Sequence, residues 1–300
     1  MNRFRASKWF RTVLAIAATA ICASSVPAYG AGVQVSFASL ANGDDILRYS
    51  GGVFTTPNSS WDSAVQGGGT DNWALTQSAA TQLGGVGAVG INDNGFYPAG
   101  GARLYDVQLG FTNATPTGTS TVVRSTVPGN FTFNVPNNQY SQFALFGSGG
   151  SGSTPLTVTL NYATGSPTVL SVTLPDWYSG LSGTAAGAAG TYFALTPAMS
   201  RQAAYLFPGS GYQPPNPSGA GAYIYGLNLA PDSTRALTSV NVAYVLGYGG
   251  ITVVNFVAAA GAVATATSPA VTPAPGTLIL VLMGLSLVFW FVLRRQRKAF

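Results

Sequence analysis

All the acid–base chemistry open to this 300-residue chain must come from eight carboxylates, and every one of them is Asp; there is no Glu and no His. Without His there is no imidazole base, no Ser-His-Asp or Cys-His nucleophile pair and no His zinc site. The only Lys residues are Lys8 and Lys298, so the long stretch between the ends has no amine for a Schiff base or a Ser-Lys pair. What remains is hydrolysis of a glycoside by two Asp side chains. Asp44, Asp45, Asp62, Asp71, Asp93 and Asp106 fall close together in the chain, but no spacing singles out a pair. A glycosidase is therefore carried as an alternative only.

Sugar binding without catalysis needs flat apolar ring faces beside neutral or acidic hydrogen-bonding groups. Trp61 with Asp62, Trp73 with Asp71, and Trp177 with Asp176 bring these types together. Trp61 and Trp73 lie among Gly, Ser, Asn and Thr and are expected to be stacking platforms, with Asp62 and Asp71 taking the hydroxyls; Trp177, at a strand end, is expected in the core. Asn92, Asp93 and Asn94, before Gly95, supply hard oxygen atoms on a turn, and so do Asn42, Asp44 and Asp45. Calcium is the one cofactor these half-motifs admit, against the simpler expectation that Asn, Asp and Gly make tight turns. Gly85-Val86-Gly87-Ala88-Val89-Gly90 matches G-x-G-x-x-G, but Asn and Pro follow at once where a helix would be required, so no nucleotide partner is expected.

The elements that must position these residues are strands. Apolar residues recur with period two at Phe131, Phe133 and Val135; Leu156, Val158, Leu160 and Tyr162; Leu170, Val172 and Leu174; Tyr223, Tyr225, Leu227 and Leu229; and Val240, Val242, Tyr244 and Leu246. Each run stops at Gly, Pro, Asn or Asp, and no helical period of comparable length intervenes. The expectation is an all-β body over 31–262, a single sandwich or jelly roll, with Gly147–Gly152 and Gly180–Gly190 as surface loops. The only Cys is Cys22, so the body contains no disulfide and is held by packing.

Both ends read as targeting segments. Residues 1–30 combine a basic start, an apolar run from Val13 to Ile21 and small residues at Ala28 and Gly30, a signal peptide with cleavage before Ala31. At the other end, 263–276 is a Pro/Ala/Thr linker, 277–293 an apolar helix and 294–300 a basic cytoplasmic tail. The charge-free run from Leu278 to Leu293 would span about 24 Å as a helix against a hydrocarbon core of about 30 Å. The +5 net charge is eight basic residues at these ends less the body's excess of acid; the body sets five Arg against eight Asp, a net −3, so no basic surface exists for nucleic acid. Basic residues at the two ends place the body outside the membrane.

Pro273-Ala274-Pro275-Gly276, an apolar helix, then Arg294-Arg295-Gln296-Arg297-Lys298 resembles the PEP-CTERM sorting signal of Gram-negative bacteria that make exopolysaccharide, with Ala274 where the family carries Glu. The resemblance implies recognition of Pro273, Pro275, Gly276, Arg294, Arg295 and Arg297 by an exosortase-like membrane enzyme and a place at the cell surface, membrane-anchored at least transiently; a retained anchor is the alternative. A second resemblance runs through Gly129-Asn130-Phe131-Thr132-Phe133, Gln139 to Phe146, Leu160 to Ser166, Leu174-Pro175-Asp176-Trp177 and Tyr223 to Leu229. In that order they are similar to the galactose-binding-like β-sandwich modules of secreted glycosidases, with Thr164 where the family has Asp. Together they imply a non-catalytic surface or matrix protein associated with exopolysaccharide. A carbohydrate-binding module and an Asp-Asp glycosidase stand as alternatives.

Overall fold

The structure, a computed structural model, describes residues 32–62, 72–116, 119–180, 183–207, 211–215, 221–245 and 253–264. The chain divides into two units, Met1–Ala264 and Thr265–Phe300, and all described residues belong to the first. The signal peptide, Asp71, the linker, the apolar segment 277–293, and the sorting residues Pro273, Pro275, Gly276, Arg294, Arg295 and Arg297 lie outside the described residues. Among the described residues no helix is long and apolar enough to cross a membrane.

The alternating runs form a four-stranded antiparallel sheet in the order β11 (Thr168–Leu174), β10 (Thr154–Tyr162), β16 (Leu237–Tyr244), β8 (Gly129–Asn138). Side chains on a strand point alternately to opposite faces. Phe133, Val135, Leu156, Val158, Leu160, Val240 and Val242 are therefore buried in one cluster while Thr132, Asn134, Thr157, Thr159 and Asn241 line the outer face. The all-β sandwich expected from the sequence is what forms.

Facing it is a six-stranded antiparallel sheet. It runs β1 (Val33–Val35), β17 (Val253–Val263), β9 (Tyr140–Gly150), β15 (Tyr225–Asn228), β12 (Tyr192–Ala194), and β7 (Val123–Ser125) pairs with β17. This sheet is covered on both faces, and its strands read accordingly. β17 is buried without a break from Val253 to Gly261; Val254, Phe256 and Ala259 join the cluster shared with the four-stranded sheet, while Val257, Ala258 and Ala260 join a second cluster on the opposite face. A strand buried on both sides shows no alternation, so periodicity is silent for it.

Gly147–Gly150, expected in a surface loop, are buried inside β9. Their use is close approach: a Cβ on Gly147 would lie 2.2 Å from the Asn255 carbonyl oxygen, and one on Gly150 2.2 Å from that of Trp61. The second face of the central sheet is covered by a mixed five-stranded sheet, β14 (Tyr212–Gln213), β13 (Arg201–Ala203), β4 (Asn72–Leu75), β2 (Ile46–Ser50), β3 (Val53–Thr55), in which β2 and β4 run parallel. The ribbon of β5 (Phe96–Tyr97) and β6 (Val107–Gln108) packs there too, through Tyr97 and Val107. One helix, α1 (Gln77–Gly84), lies against the mixed sheet through Ala79 and Ala80 beside Leu47, Trp73 and Leu75. Eight residues with two adjacent buried alanines are too few for a helical period to register in the sequence.

Candidate functional site

Neither expected platform faces solvent. Trp61 is fully buried and stacks on Trp177, ring centroids 5.7 Å apart at 24°, while its indole N–H donates to Ser148 Oγ at 2.9 Å. Trp73 is 6% exposed, its ring edge-on to Phe207 and its N–H donated to the Ser59 carbonyl at 2.8 Å. A ring whose faces are covered by protein cannot stack on a sugar, so both belong to the core. The short polar residues around them in sequence supply partners for their N–H groups, which is why a polar setting coexists with burial. Trp177, 1% exposed, is in the core as expected.

The Asn92-Asp93-Asn94 turn serves α1. Asp93 Oδ1 accepts the Ser78 backbone N–H at 2.8 Å and Oδ2 accepts the Ser78 hydroxyl, which puts a carboxylate on the orphan N–H groups of the first helical turn. Asn94 Oδ1 accepts the Phe96 N–H at 3.0 Å and Asn92 Nδ2 donates to the Phe96 carbonyl at 2.8 Å. The carboxylate that calcium would need is engaged by the helix. Asp44 and Asp45 are engaged as well: Asp44 holds the buried Arg48 guanidinium through two bonds of 2.8 and 2.9 Å, and Asp45 lies 3.4 Å from Arg124. Gly85 and Gly87 of the G-x-G-x-x-G match have φ of 80° and 91° and follow α1, closing its end, instead of preceding a helix.

A polar cleft lies elsewhere among the described residues, where several segments converge. The mixed sheet contributes Asn72 from β4, Arg201 from β13 and Gln213 from β14, with Arg201 and Gln213 directly paired. The turn after β9 contributes Ser151, and the segment after β11 contributes Asp176, Trp177 and Tyr178. That last segment is anchored to β9: the Gly149 N–H donates to the Pro175 carbonyl at 2.7 Å, and the Gly149 carbonyl accepts the Trp177 N–H at 2.8 Å. Asp62 completes a cavity of about 270 Å³. Ser151 carries a left-handed φ of 55°, uncommon for a residue with a side chain, and its hydroxyl donates to the Asp62 carbonyl.

The two carboxylates of the cleft are fixed by donors. Asp62 Oδ1 accepts the Asn72 N–H at 2.9 Å and Oδ2 the Asn72 side-chain amide at 3.0 Å. Asp176 Oδ1 accepts the Tyr178 N–H at 2.7 Å and Oδ2 accepts the Gly152 N–H. The Arg201 guanidinium is 3.8 Å from Asp62 and sits 4.5 Å above the Tyr178 ring centroid. In this cleft the Arg201 Nε donor and the Gln213 Oε1 acceptor are buried without a hydrogen-bond partner among the described residues. A buried donor and acceptor left open in one cleft call for a ligand or water to satisfy them.

Of the sugar-facing carboxylates named from sequence, Asp62 and Asp176 come together here. Arg201, Gln213, Tyr178, Asn72 and Ser151 carry no motif; the one available signal is that Arg is rare enough in the body for each to be worth placing. No protein-family model and no curated protein matches this sequence, so the chemistry of the cleft rests on its own residues.

Proposed function

We propose that this chain is an exported, non-catalytic surface or matrix protein whose cleft at Asp62, Asp176 and Arg201 takes the hydroxyl groups of a neutral glycan. In this reading the body is a jelly-roll-type, galactose-binding-like sandwich, delivered by the signal peptide, sorted by the PEP-CTERM-type tail through an exosortase-like enzyme, and associated with exopolysaccharide at the cell surface. The observation that carries the binding reading is the open donor–acceptor pair of Arg201 Nε and Gln213 Oε1 beside two fixed carboxylates. Sugar hydroxyls both donate and accept, so they match a cleft that holds an open donor, an open acceptor and two carboxylates.

Two carboxylates against one guanidinium leave the cleft net negative, which favours a neutral sugar over a uronic acid or phosphate. At about 270 Å³ the cavity lies just under the usual range for drug-sized ligands, so it suits a single ring or a chain end. Catalysis is disfavoured because both oxygens of Asp176 accept backbone N–H groups; a general acid must instead present an O–H to the leaving oxygen.

The test is thermal. Neutral oligosaccharide at a hundred times its dissociation constant should stabilise the chain by about 2.7 kcal/mol. Arg201→Ala should abolish the shift without changing the unliganded midpoint by more than a few degrees. A shift retained in Arg201→Ala would place the ligand elsewhere.

A further inference from the structure

A sheet edge presents unpaired N–H and C=O groups and is a template for another chain, so folded proteins blunt their edges with short strands, Pro, charge or bulges. Most edges here are blunted. β1, β3, β7 and β12 have three residues each and β14 has two. β8 is long, but Pro136 removes a donor and its register against β16 is broken between Leu237 and Ser239. β11 has none of these devices: Thr-Val-Leu-Ser-Val-Thr-Leu is seven residues long, contains no Pro, Gly or charge, and pairs with β10 in unbroken register from Thr168 to Leu174.

The direction of its free groups follows from one proline. Val245 N–H donates to the Pro155 carbonyl at 3.4 Å, so the backbone of Pro155 faces β16. Thr173, opposite Pro155, is then in a non-hydrogen-bonded pair with β10 and turns its N–H and C=O outward. By the two-residue period Ser171 and Val169 do the same. Among the described residues no partner hydrogen-bonds to these groups. Val169 is 60% exposed, and Ser171 and Thr173 are exposed beside it.

We propose that β11 is a homotypic docking edge: a second copy of this chain pairs its own β11 antiparallel about a two-fold axis at Ser171, joining two four-stranded sheets into one of eight strands. Three outward residues centred on Ser171 make the edge complementary to itself. Ser171 faces Ser171 of the second copy and Val169 faces Thr173, giving about six backbone hydrogen bonds. A two-fold axis sets the side chain at its centre against its own copy, where a charge would be repelled, and β11 carries none; as the long unblunted edge among the described strands, β11 finds its match in the same edge of a second copy. Arg235, which donates to the Ser166 carbonyl and lies 3.4 Å from Thr168 Oγ1, bounds the edge at one end.

The experiment is sedimentation equilibrium of the full chain in detergent, for the wild type, Ser171→Lys, Ser171→Glu and an equimolar mixture of the two variants. The wild type should be a dimer. Each variant alone should dissociate about tenfold or more readily, because like charges meet on the axis, and the mixture should recover the dimer as a Lys–Glu heterodimer. Recovery in the mixture also shows that both variants fold. A monomeric wild type, a dimer that neither substitution weakens, or a mixture that stays monomeric would overturn the proposal.

Discussion

Charge is scarce in the body and is consumed internally. Arg48, Arg124, Arg201 and Arg235 lie against Asp44, Asp45, Asp62 and Asp232 respectively. The Asp44–Arg48 pair is fully buried, with the Thr121 hydroxyl 3.1 Å from Asp44 Oδ1. Removing one partner strands the other charge in the interior, so Asp44→Asn or Arg48→Met should each lower unfolding free energy by about 3–5 kcal/mol in chemical denaturation. The exposed Asp232–Arg235 pair predicts an effect on pH dependence. Bonds from the Thr234 hydroxyl and N–H, then from Arg235, hold the Asp232 carboxyl down at about 2 against an ordinary 3.8. A depressed folded value means stability that is present above about pH 3.8 and fades as pH falls toward 2, and Asp232→Asn should remove that part of the acid transition. At the alkaline end, burial pushes the Tyr97 phenol up to about 12 from 10, and raises Tyr105 as well. For Tyr97 that stabilisation is complete below pH 10 and lost as pH rises through about 12. Absorbance at the phenolate band should therefore show a component that ionises well above pH 10, and Tyr97→Phe should reduce it.

At the scale of elements, the readable part of this fold was the part with one wet face. β8, β10, β11 and β16 alternate because Thr, Asn and Ser on their outer side meet water. β9 and β17 do not alternate, since each lies between two apolar layers, and the glycines of β9 resemble a loop for the same reason that makes them necessary in a strand. A Cβ on Gly150 would press on the backbone of Trp61 and Asp62, atoms that cannot rotate away. Gly150→Ala should destabilise by about 1–3 kcal/mol or more and shift Asp62 out of the cleft, so both stability and glycan binding fall together. α1 was hidden by its length, and the Asn92-Asp93-Asn94 turn looked like a ligand loop because capping a helix and binding calcium use the same oxygen-rich residues. Asp93→Ala should lower stability by about 1 kcal/mol, with a melting midpoint that a chelator leaves unchanged in the parent chain.

For the whole molecule, three layers explain why the aromatic platforms vanish and a polar cleft takes their place. The central sheet needs cover on both faces, and the second cover is made from chain segments dense in Trp, Tyr and Gly, which consumes Trp61, Trp73 and Trp177 as core. Trp61→Ala should lose about 3–5 kcal/mol and unfold the protein at modest denaturant, a cost that a surface platform would not show. The cleft forms at the seam where that cover meets β9. Asp62 and Asp176 are legible as hydroxyl acceptors because each adjoins a Trp, but Arg201 and Gln213 reach them only through the pairing of β13 with β4 and β14, which no spacing in the sequence encodes.

The central claim, that this cleft holds a neutral sugar, is tested most directly by a glycan array probed with the full chain and with Arg201→Ala. The account predicts wild-type signal on neutral glycans, weaker signal on uronic-acid or sulfated ones, and none for the variant. Equal signal from both proteins, a preference for anionic glycans, or silence from the wild type across the array would contradict it.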